Sequence, residues 1–534
     1  MQATVCAGHP IREGSPSLIK LGSDHNRVSR GSRLRMSDED DNDDDDEVSS
    51  LLHNHHNYAN GEDIELDTKQ SVAAAGAGSG ARPALSLLGV ASLSYFTVSG
   101  GPFGLEVAIG AAGPAWVIGS ILVLVLIWSV PCALMTAELS SALPSRGGYI
   151  HWVDRGLGER CGAITGLCSV FNTAVDSSTY PAIFCDYLVF SLRHFHGLPP
   201  LGWQPRFAMS AALVSIVCAL NMRGISLAAR TSVLLALFSL SPFALLVLLS
   251  VTRSVVAPAE PAAPTATERF FSGTGEQRPD FLLLLSLAMW TTSGFDAVSL
   301  VSSEVPKGAR SIPKALGLSL GMMLSATLLP MLACCSHAAA GSQQWSSWKL
   351  GAFALAAERV GGAPLGVWTC LAAMASSAGL LNAFMCTSAR AVQAMACKGL
   401  LPAALRREMG AEATPVPALL FTSTCILCLL SLPFSELIEL DMSLYACSLS
   451  MEFLSLLRLR WTEPELHRPY RVPLGFCALC LMCAPSLLLC GLVITMSLRN
   501  PSMRHAWYFV FFLGTGLYAL GPRCFRTRGR ARLG

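Results

Sequence analysis

The sequence predicts an all-α polytopic membrane protein with about twelve transmembrane helices, and three observations support this fold class. Only 14% of the 534 residues are charged, whereas soluble domains contain about a quarter. Apolar segments long enough to cross a bilayer, which takes roughly 20 residues, recur from residue 84 to residue 522. Two of these segments, the first and the sixth, are interrupted by glycine-containing sequences. An ordinary cytosolic protein is therefore excluded.

The first element is an acidic tail, residues 1–82. It holds 15 of the 36 acidic residues but only 8 of the 38 basic ones, and nine of the ten residues from Asp38 to Glu47 are acidic. Such a segment cannot bury enough apolar surface to offset the entropy lost on ordering. We predict a disordered, solvated cytoplasmic tail, with a regulatory or protein-binding tail as the alternative. It contains no apolar stretch typical of a cleavable signal peptide.

A membrane domain, residues 83–523, follows the tail and precedes a short basic cytoplasmic tail, residues 524–534. The predicted spans are 84–112, 115–137, 162–192, 207–222, 231–251, 281–303, 315–338, 362–389, 416–433, 437–457, 474–497 and 506–522. With the N-terminus inside, 21 Lys and Arg residues fall in inner segments and nine in outer loops. Because positive residues concentrate on the cytoplasmic side, both termini are predicted to be cytoplasmic. The plasma membrane is the expected location.

Two spans are interrupted near their middles. The first carries SGGPFG at 99–104, and the sixth carries TTSGFD at 291–296. Breaks of this kind free backbone groups, which are tolerated in a bilayer only against protein or a watery cavity. Paired breaks predict inverted five-helix repeats with a binding site near the midplane. Close packing of small residues between helices is the alternative interpretation.

Acidic residues inside the spans cost free energy of membrane insertion, so each of them indicates a structural or functional role. Glu106, Asp176 and Asp296 are predicted near the midplane, on or opposite the broken helices, with no basic residue in the same span. Tyr180 shares a helix face with Asp176, because the two are four residues apart. An unpaired buried carboxyl tends to take up a proton. It can therefore carry protons or bind a cation.

Three other acids are predicted near the inner membrane surface, among arginines and lysines: Glu138, Glu304 and Glu452. Structural or gating ion pairs are the favoured interpretation for them, and proton coupling is the alternative. Together with Glu106 and Asp176, they form the set of proton-coupling or gating candidates.

The spans contain acids but no central Lys or Arg, which favours a cationic ligand. A carboxylate ligand would dock on the amides of the first break, where Glu106 would repel it. Aromatic side chains near the breaks offer cation–π contacts. The predicted binding residues are Gly100, Gly101, Phe103, Glu106, Asp176, Tyr180, Trp290, Ser293, Phe295 and Asp296.

Several of these motifs resemble the polyamine/proton symporter branch of the amino acid–polyamine–organocation superfamily. They are VSGGPFGLE at 98–106, IWSVPCALMTAELSSALPSRGGYIHWV at 127–153, VDSSTYPAIFCDYL at 175–188 and GFDAVSLVSSEVPKGARSIPKAL at 294–316, with MEFLSLLRLRW and RPYRVPLG between 451 and 475. The resemblance implies a leucine-transporter-type fold with alternating access and inward movement of polyamines with protons. The chain departs from the pattern at Gly294-Phe295, where members have two bulky aromatics. Ser376 and Ser377 resemble a sodium-binding hydroxyl pair of related folds.

The resulting prediction is a proton-coupled importer of polyamines such as putrescine and spermidine. A cationic amino-acid permease is the second hypothesis, and a membrane sensor that does not transport is the third. The predicted partners are the small cationic substrate, protons and the lipid bilayer, with no nucleic acid; the sequence indicates no oligomeric state. No enzyme motif is present. No cofactor or metal is expected, because Cys477, Cys480 and Cys483 lie in an apolar run where packing explains them.

Overall fold

The computed structural model describes residues 85–145, 147–256, 271, 279–305, 308–336, 345–430 and 434–499. They belong to one compact unit, Ala81–Gly534. Both predicted tails, the predicted twelfth span, Arg146 and Lys307 lie outside the described residues. Among the described residues, the only pairing of extended backbone joins Met409 to Thr414. The predicted all-α membrane fold is confirmed.

The helices that build this fold are, in chain order, α1 (Leu87–Val98), α2 (Leu105–Ala112), α3 (Pro114–Ala142), α4 (Tyr149–Leu157), α5 (Glu159–His196), α6 (Trp203–Met222), α7 (Ile225–Val256), α8 (Phe281–Thr291), a 3₁₀ helix (Phe295–Glu304), α9 (Gly308–Ser336), α10 (Ala352–Gly361), α11 (Ala363–Cys397), α12 (Val416–Leu429), α13 (Phe434–Thr462) and α14 (Phe476–Arg499). Short 3₁₀ turns precede α10 and α12.

Eleven segments of the described chain correspond to the first eleven predicted crossings. Eight helical stretches are long and apolar enough to span a bilayer by themselves. The broken pair α1–α2, the long polar helix α5 and the short helix α12 complete the set. Helix α5 has 38 residues and carries much of the buried polar surface. It packs against α11 and α13 in the centre of the molecule.

The order of elements repeats between residues 87–256 and 281–462. Each half begins with a broken helix, continues with a long helix, a short amphipathic helix and a second long helix, and ends with two further crossings. The short helices are α4 and α10, with nine and ten residues. Because each half crosses the membrane an odd number of times, the second half must run opposite to the first. This is the predicted 5+5 inverted repeat.

The breaks fall where the sequence places them, although the second half of the sixth span differs from a simple helix. Residues 99–104 separate α1 from α2, and residues 292–294 follow α8. The chain then continues as a ten-residue 3₁₀ helix, which is unusually long for that geometry. The short helix α10 begins at Ala352.

Candidate substrate-binding site

The two breaks pack directly on each other. Gly294 has a φ angle of +101°, and a Cβ atom at this position would lie 2.0 Å from the carbonyl oxygen of Thr97. Only glycine accepts both the left-handed backbone and this approach at low cost. The end of α1 and the start of the 3₁₀ helix are therefore held in backbone contact at the middle of the molecule.

Side chains satisfy the backbone groups freed by the first break. Ser99 Oγ accepts a hydrogen bond from Gly101 N at 3.2 Å, and Ser376 Oγ of α11 donates to the carbonyl of Gly100 at 2.5 Å. Gly104 N donates to Glu106 Oε2 at 2.7 Å. The break is thus closed by protein groups, as the low dielectric of a membrane interior requires.

Helix α3 holds the second break through a π-helical turn at Val125–Ser129. From this turn, Trp128 Nε1 donates to Ser293 Oγ at 2.9 Å and Ser129 Oγ donates to the carbonyl of Thr292 at 2.8 Å. Turns of this type often mark functional sites. Pro131 cannot donate to the carbonyl of Ile127, which instead accepts from Ser486 of α14 at 2.7 Å.

A cavity lies between the breaks and helices α5, α11 and α13. Its walls contain three aspartates, several hydroxyl groups and aromatic rings, and none of the described residues that line it is Lys, Arg or His. The polar and charged wall residues that matter below are Asn172, Asp176, Tyr180, Trp290, Ser293, Asp296, Asp441 and Tyr445.

Asp176 of α5 is held by two neutral donors. Tyr180 Oη donates to its Oδ2 at 2.7 Å, and Trp290 Nε1 donates to its Oδ1 at 2.9 Å. The rings of Tyr180 and Trp290 stack with centroids 6.2 Å apart. Asp176 is only 4% exposed and has no cationic partner among the described residues.

Asp296 occupies the start of the 3₁₀ helix, beside the second break. Tyr445 Oη of α13 donates to Asp296 Oδ1 at 2.5 Å and accepts from Gly294 N at 3.0 Å. The Cys132 thiol of α3 lies 3.9 Å from the same carboxylate oxygen. Tyr445 therefore links the carboxylate to the backbone of the break.

Asp441 of α13 is the third carboxylate in the cavity wall. Asn172 Nδ2 donates to Asp441 Oδ1 at 2.5 Å and to its carbonyl oxygen at 3.0 Å. Asp441 also interacts electrostatically with Asp176. The cavity is thus strongly acidic, and a bound cation would lower the electrostatic free energy of all three side chains.

Eight of the ten binding residues predicted from sequence line this cavity: Gly100, Gly101, Phe103, Asp176, Tyr180, Trp290, Ser293 and Asp296. Phe295 does not; it is fully buried behind the wall. The structure therefore brings together residues from α5, α8 and both breaks.

Glu106 also lies outside the cavity wall, which differs from the expectation that it faces a bound amine. It is fully buried at the first turn of α2. Besides Gly104 N, Tyr187 Oη donates to its carboxylate. The positive end of a helix dipole stabilises a carboxylate at this position, so Glu106 turns back onto the break.

Two of the three inner acids form the expected ion pairs. Arg390 of α11 makes two hydrogen bonds to Glu304, at 2.7 and 2.8 Å. Arg460 of α13 makes two to Glu138, at 2.5 and 2.6 Å. Arg468 approaches Glu138 at 3.2 Å. The Glu304–Arg390 pair connects the 3₁₀ helix to α11, and the Glu138–Arg460 pair connects α3 to α13.

The expectation of an ion pair is wrong for Glu452. This residue is fully buried on α13, and its Oε1 accepts from Ser448 Oγ at 3.1 Å. Its Oε2 has no hydrogen-bond partner in the described part of the chain, and it interacts electrostatically with Asp296. The reason is helical geometry: Arg458 and Arg460 follow more than one turn later, and Arg460 reaches Glu138 instead.

Sequence reasoning missed Asp441, Asn172, Tyr445 and Trp128. An acid inside a predicted span was a usable signal for Asp441, by the same rule that singled out Asp176. No sequence signal identifies Trp128, because its role depends on the π-helical turn and on a contact 165 residues away.

A cavity between two paired helix breaks, within an inverted repeat, defines a membrane transporter of the broken-helix class. The amino acid permease family matches residues 85–518 of the chain, so the chain belongs to this family, within the amino acid–polyamine–organocation superfamily.

Its relatives include transporters of two kinds. The chain is 32% identical to polyamine transporter PUT1 of Oryza sativa subsp. japonica, over 77% of this chain and 74% of that one. It is 30% identical to polyamine transporter RMV1 of Arabidopsis thaliana, over 77% and 80%. It is 26% identical to large neutral amino acids transporter small subunit 2 of Mus musculus, over 78% and 76%.

Proposed function

We propose that this protein imports polyamines across the plasma membrane by alternating access, coupled to protons. The observation that carries the proposal is the cavity between the breaks, whose described wall contains three carboxylates and no basic side chain. The similarity of the chain to PUT1 and RMV1, both named as polyamine transporters, supports the same substrate class.

In this proposal Asp176 and Asp296 bind ammonium groups of the substrate. Tyr180, Trp290 and Phe103 contact its methylene chain and charged ends, since aromatic faces attract cations. Gly100, Gly101 and Ser293 shape the wall at the breaks, and Phe295 supports it from behind. A charge-assisted hydrogen bond to each carboxylate contributes about 1.5–3 kcal/mol.

The position of Glu106 favours amines without a carboxylate. In a broken-helix site, the amides of the first break are where a substrate carboxylate would bind. Here Gly104 N is already bonded to Glu106 and Gly101 N to Ser99. The fixed charge of Glu106 beside the break would repel the carboxylate of a cationic amino acid, which argues against the amino-acid permease hypothesis.

Proton coupling rests on Glu452. This residue is buried without a cationic partner among the described residues and interacts electrostatically with Asp296, so a proton is the simplest ion to neutralise it. Ser376 donates its hydroxyl hydrogen to the Gly100 carbonyl and Ser377 donates to that of Ala373. Because the oxygen lone pairs of both hydroxyls stay available to a cation, removal of sodium is part of the test below. The pairs Glu304–Arg390 and Glu138–Arg460 are proposed as gating contacts.

The proposal is tested by uptake of labelled putrescine into cells that express the full chain. We expect saturable uptake that a protonophore abolishes and sodium removal leaves unchanged. Ornithine, which is putrescine with an added carboxylate, should compete poorly. Uptake of ornithine in preference to putrescine would support the permease instead, and uptake that requires sodium would exclude proton coupling.

A further inference from the structure

Asp441 is a carboxylate of the cavity wall whose charge nothing in the wall balances. It is 2% exposed and lines the cavity. Asn172 bonds to its Oδ1, while its Oδ2 makes no hydrogen bond to any described residue. A buried carboxylate with only one neutral donor is poorly stabilised. Its open oxygen therefore faces the space where a substrate would bind.

The three cavity acids form two poles. Asn172, which bonds to Asp441, lies four residues before Asp176 on the same face of α5, so Asp176 and Asp441 make the first pole. Asp296, held by Tyr445, makes the second. Asp441 and Tyr445 are four residues apart on α13, so their Cβ atoms lie about 6 Å apart on one helix face. The length of the tyrosine side chain separates the two poles further.

A single ammonium group fits the first pole well. It carries three N–H donors and no acceptor. The oxygens of Asp176 already accept from Tyr180 and Trp290, whereas Asp441 Oδ2 is open. A cation here would relieve the repulsion between two adjacent carboxylates. A second ammonium on the same substrate would then reach Asp296 through a methylene chain along the aromatic wall.

We propose that Asp441, positioned by Asn172, completes with Asp176 one ammonium subsite, and that this first pole and Asp296 together select substrates with at least two amines. This inference rests on the proposed transport of polyamines and adds the carboxylate that completes the first pole. Asp441 is then a binding residue of the same cavity.

The test compares putrescine with butylamine, which has the same carbon chain and one amine. Binding constants for both are measured on the purified full chain by thermal stabilisation, and by competition against labelled putrescine uptake. The wild type should bind putrescine much more tightly than butylamine. In Asp441→Asn, both amines should bind about 10- to 150-fold more weakly, because each places an ammonium group at the first pole, whereas Asp296→Asn should weaken the binding of putrescine alone.

Two further variants keep the test decisive. Asp441→Glu restores the charge and should restore most of the affinity for both amines. Glu439→Gln removes an acid of the same helix that does not line the cavity, and should leave both affinities unchanged. No weakening of either amine in Asp441→Asn, or equal weakening of both in Asp296→Asn, would overturn the proposal. A wild-type protein that binds and transports neither amine would instead overturn the proposed function.

Discussion

Glu106 illustrates how one carboxylate can define a substrate class without touching the substrate. From sequence alone, an acid just after a glycine-rich break can face the ligand or the break itself, because a rotation about the helix start decides between them. The structure turns it onto Gly104 N and Tyr187. In the proposed function, its charge beside the break makes the binding of a substrate carboxylate there unfavourable.

Glu106→Gln should therefore change discrimination more than affinity. The amide oxygen still accepts from Gly104 N, but the negative charge that repels a substrate carboxylate is lost. We expect putrescine affinity to change less than about threefold and the preference for putrescine over ornithine to fall by roughly tenfold. Competition of both compounds against labelled putrescine measures this at matched surface expression. A large loss of putrescine affinity with unchanged discrimination would contradict it.

Glu452 carries the second prediction at the scale of single residues. Because it does not line the cavity, Glu452→Gln should leave putrescine binding within about threefold of the wild type. Because it removes the proposed proton-binding carboxyl, accumulation driven by an imposed proton gradient should be lost while exchange of putrescine for putrescine continues. Both are measured in proteoliposomes. Ser448→Ala, which removes only the hydrogen-bond partner of Glu452, should keep the coupling. Gradient-driven accumulation by Glu452→Gln would exclude this role.

Among the structural elements, the two breaks determine where the site lies. The sequence could place both breaks, because a glycine-rich stretch within a long apolar segment frees backbone groups that lipid cannot satisfy. It could not show that the breaks touch, since Gly294 and Thr97 are far apart in the chain. It also could not reveal the π-helical turn of α3, because Val125–Ser129 has an ordinary apolar composition.

Contact between the breaks makes Gly294 the residue most sensitive to added volume. In Gly294→Ala, the new methyl group would meet the Thr97 carbonyl, and the positive φ angle adds roughly 1–2 kcal/mol of backbone strain. We expect a clearly lower unfolding temperature and loss of putrescine uptake. Gly317→Ala in α9 is the matched control, since a Cβ atom there meets nothing within 4 Å. Its unfolding temperature should equal or exceed that of the wild type. Wild-type stability and uptake in Gly294→Ala would disprove close contact between the breaks.

At the scale of the whole molecule, the sequence predicts the helical crossings well, because the bilayer restricts the backbone strongly. It predicts ion pairs less well, because several partners are possible for each side chain. The first eleven predicted spans all fall on helical segments of the described chain, and eight helical stretches are long and apolar enough to cross a bilayer, because a membrane tolerates few alternatives to a helix. Ion pairs were harder. Glu138, Glu304 and Glu452 look alike in sequence, yet only the first two find an arginine. That choice depends on which helices pack together, which periodicity does not encode.

Membrane orientation is the last whole-molecule property that the sequence predicts, and labelling of cysteines tests it. With both termini inside, the cysteines of the tails, Cys6 and Cys524, and the exposed Cys397 at the end of α11 all face the cytoplasm. Gly202 lies in the short loop between α5 and α6, predicted to be outside, and a Cβ atom there meets nothing within 4 Å. An impermeant maleimide added to intact cells should therefore label Gly202→Cys but not the wild type.

Permeabilisation provides the control for this experiment, because it should expose the cytoplasmic cysteines and label the wild type as well. The expected bias follows from 21 inner against nine outer basic residues, a difference large enough that one misplaced loop would not reverse it. Labelling of the wild type in intact cells, with no gain from Gly202→Cys, would invert the orientation. The proposed import cycle would then run from the opposite face, and the gating pairs Glu304–Arg390 and Glu138–Arg460 would close the outer side of the cavity instead of the inner one.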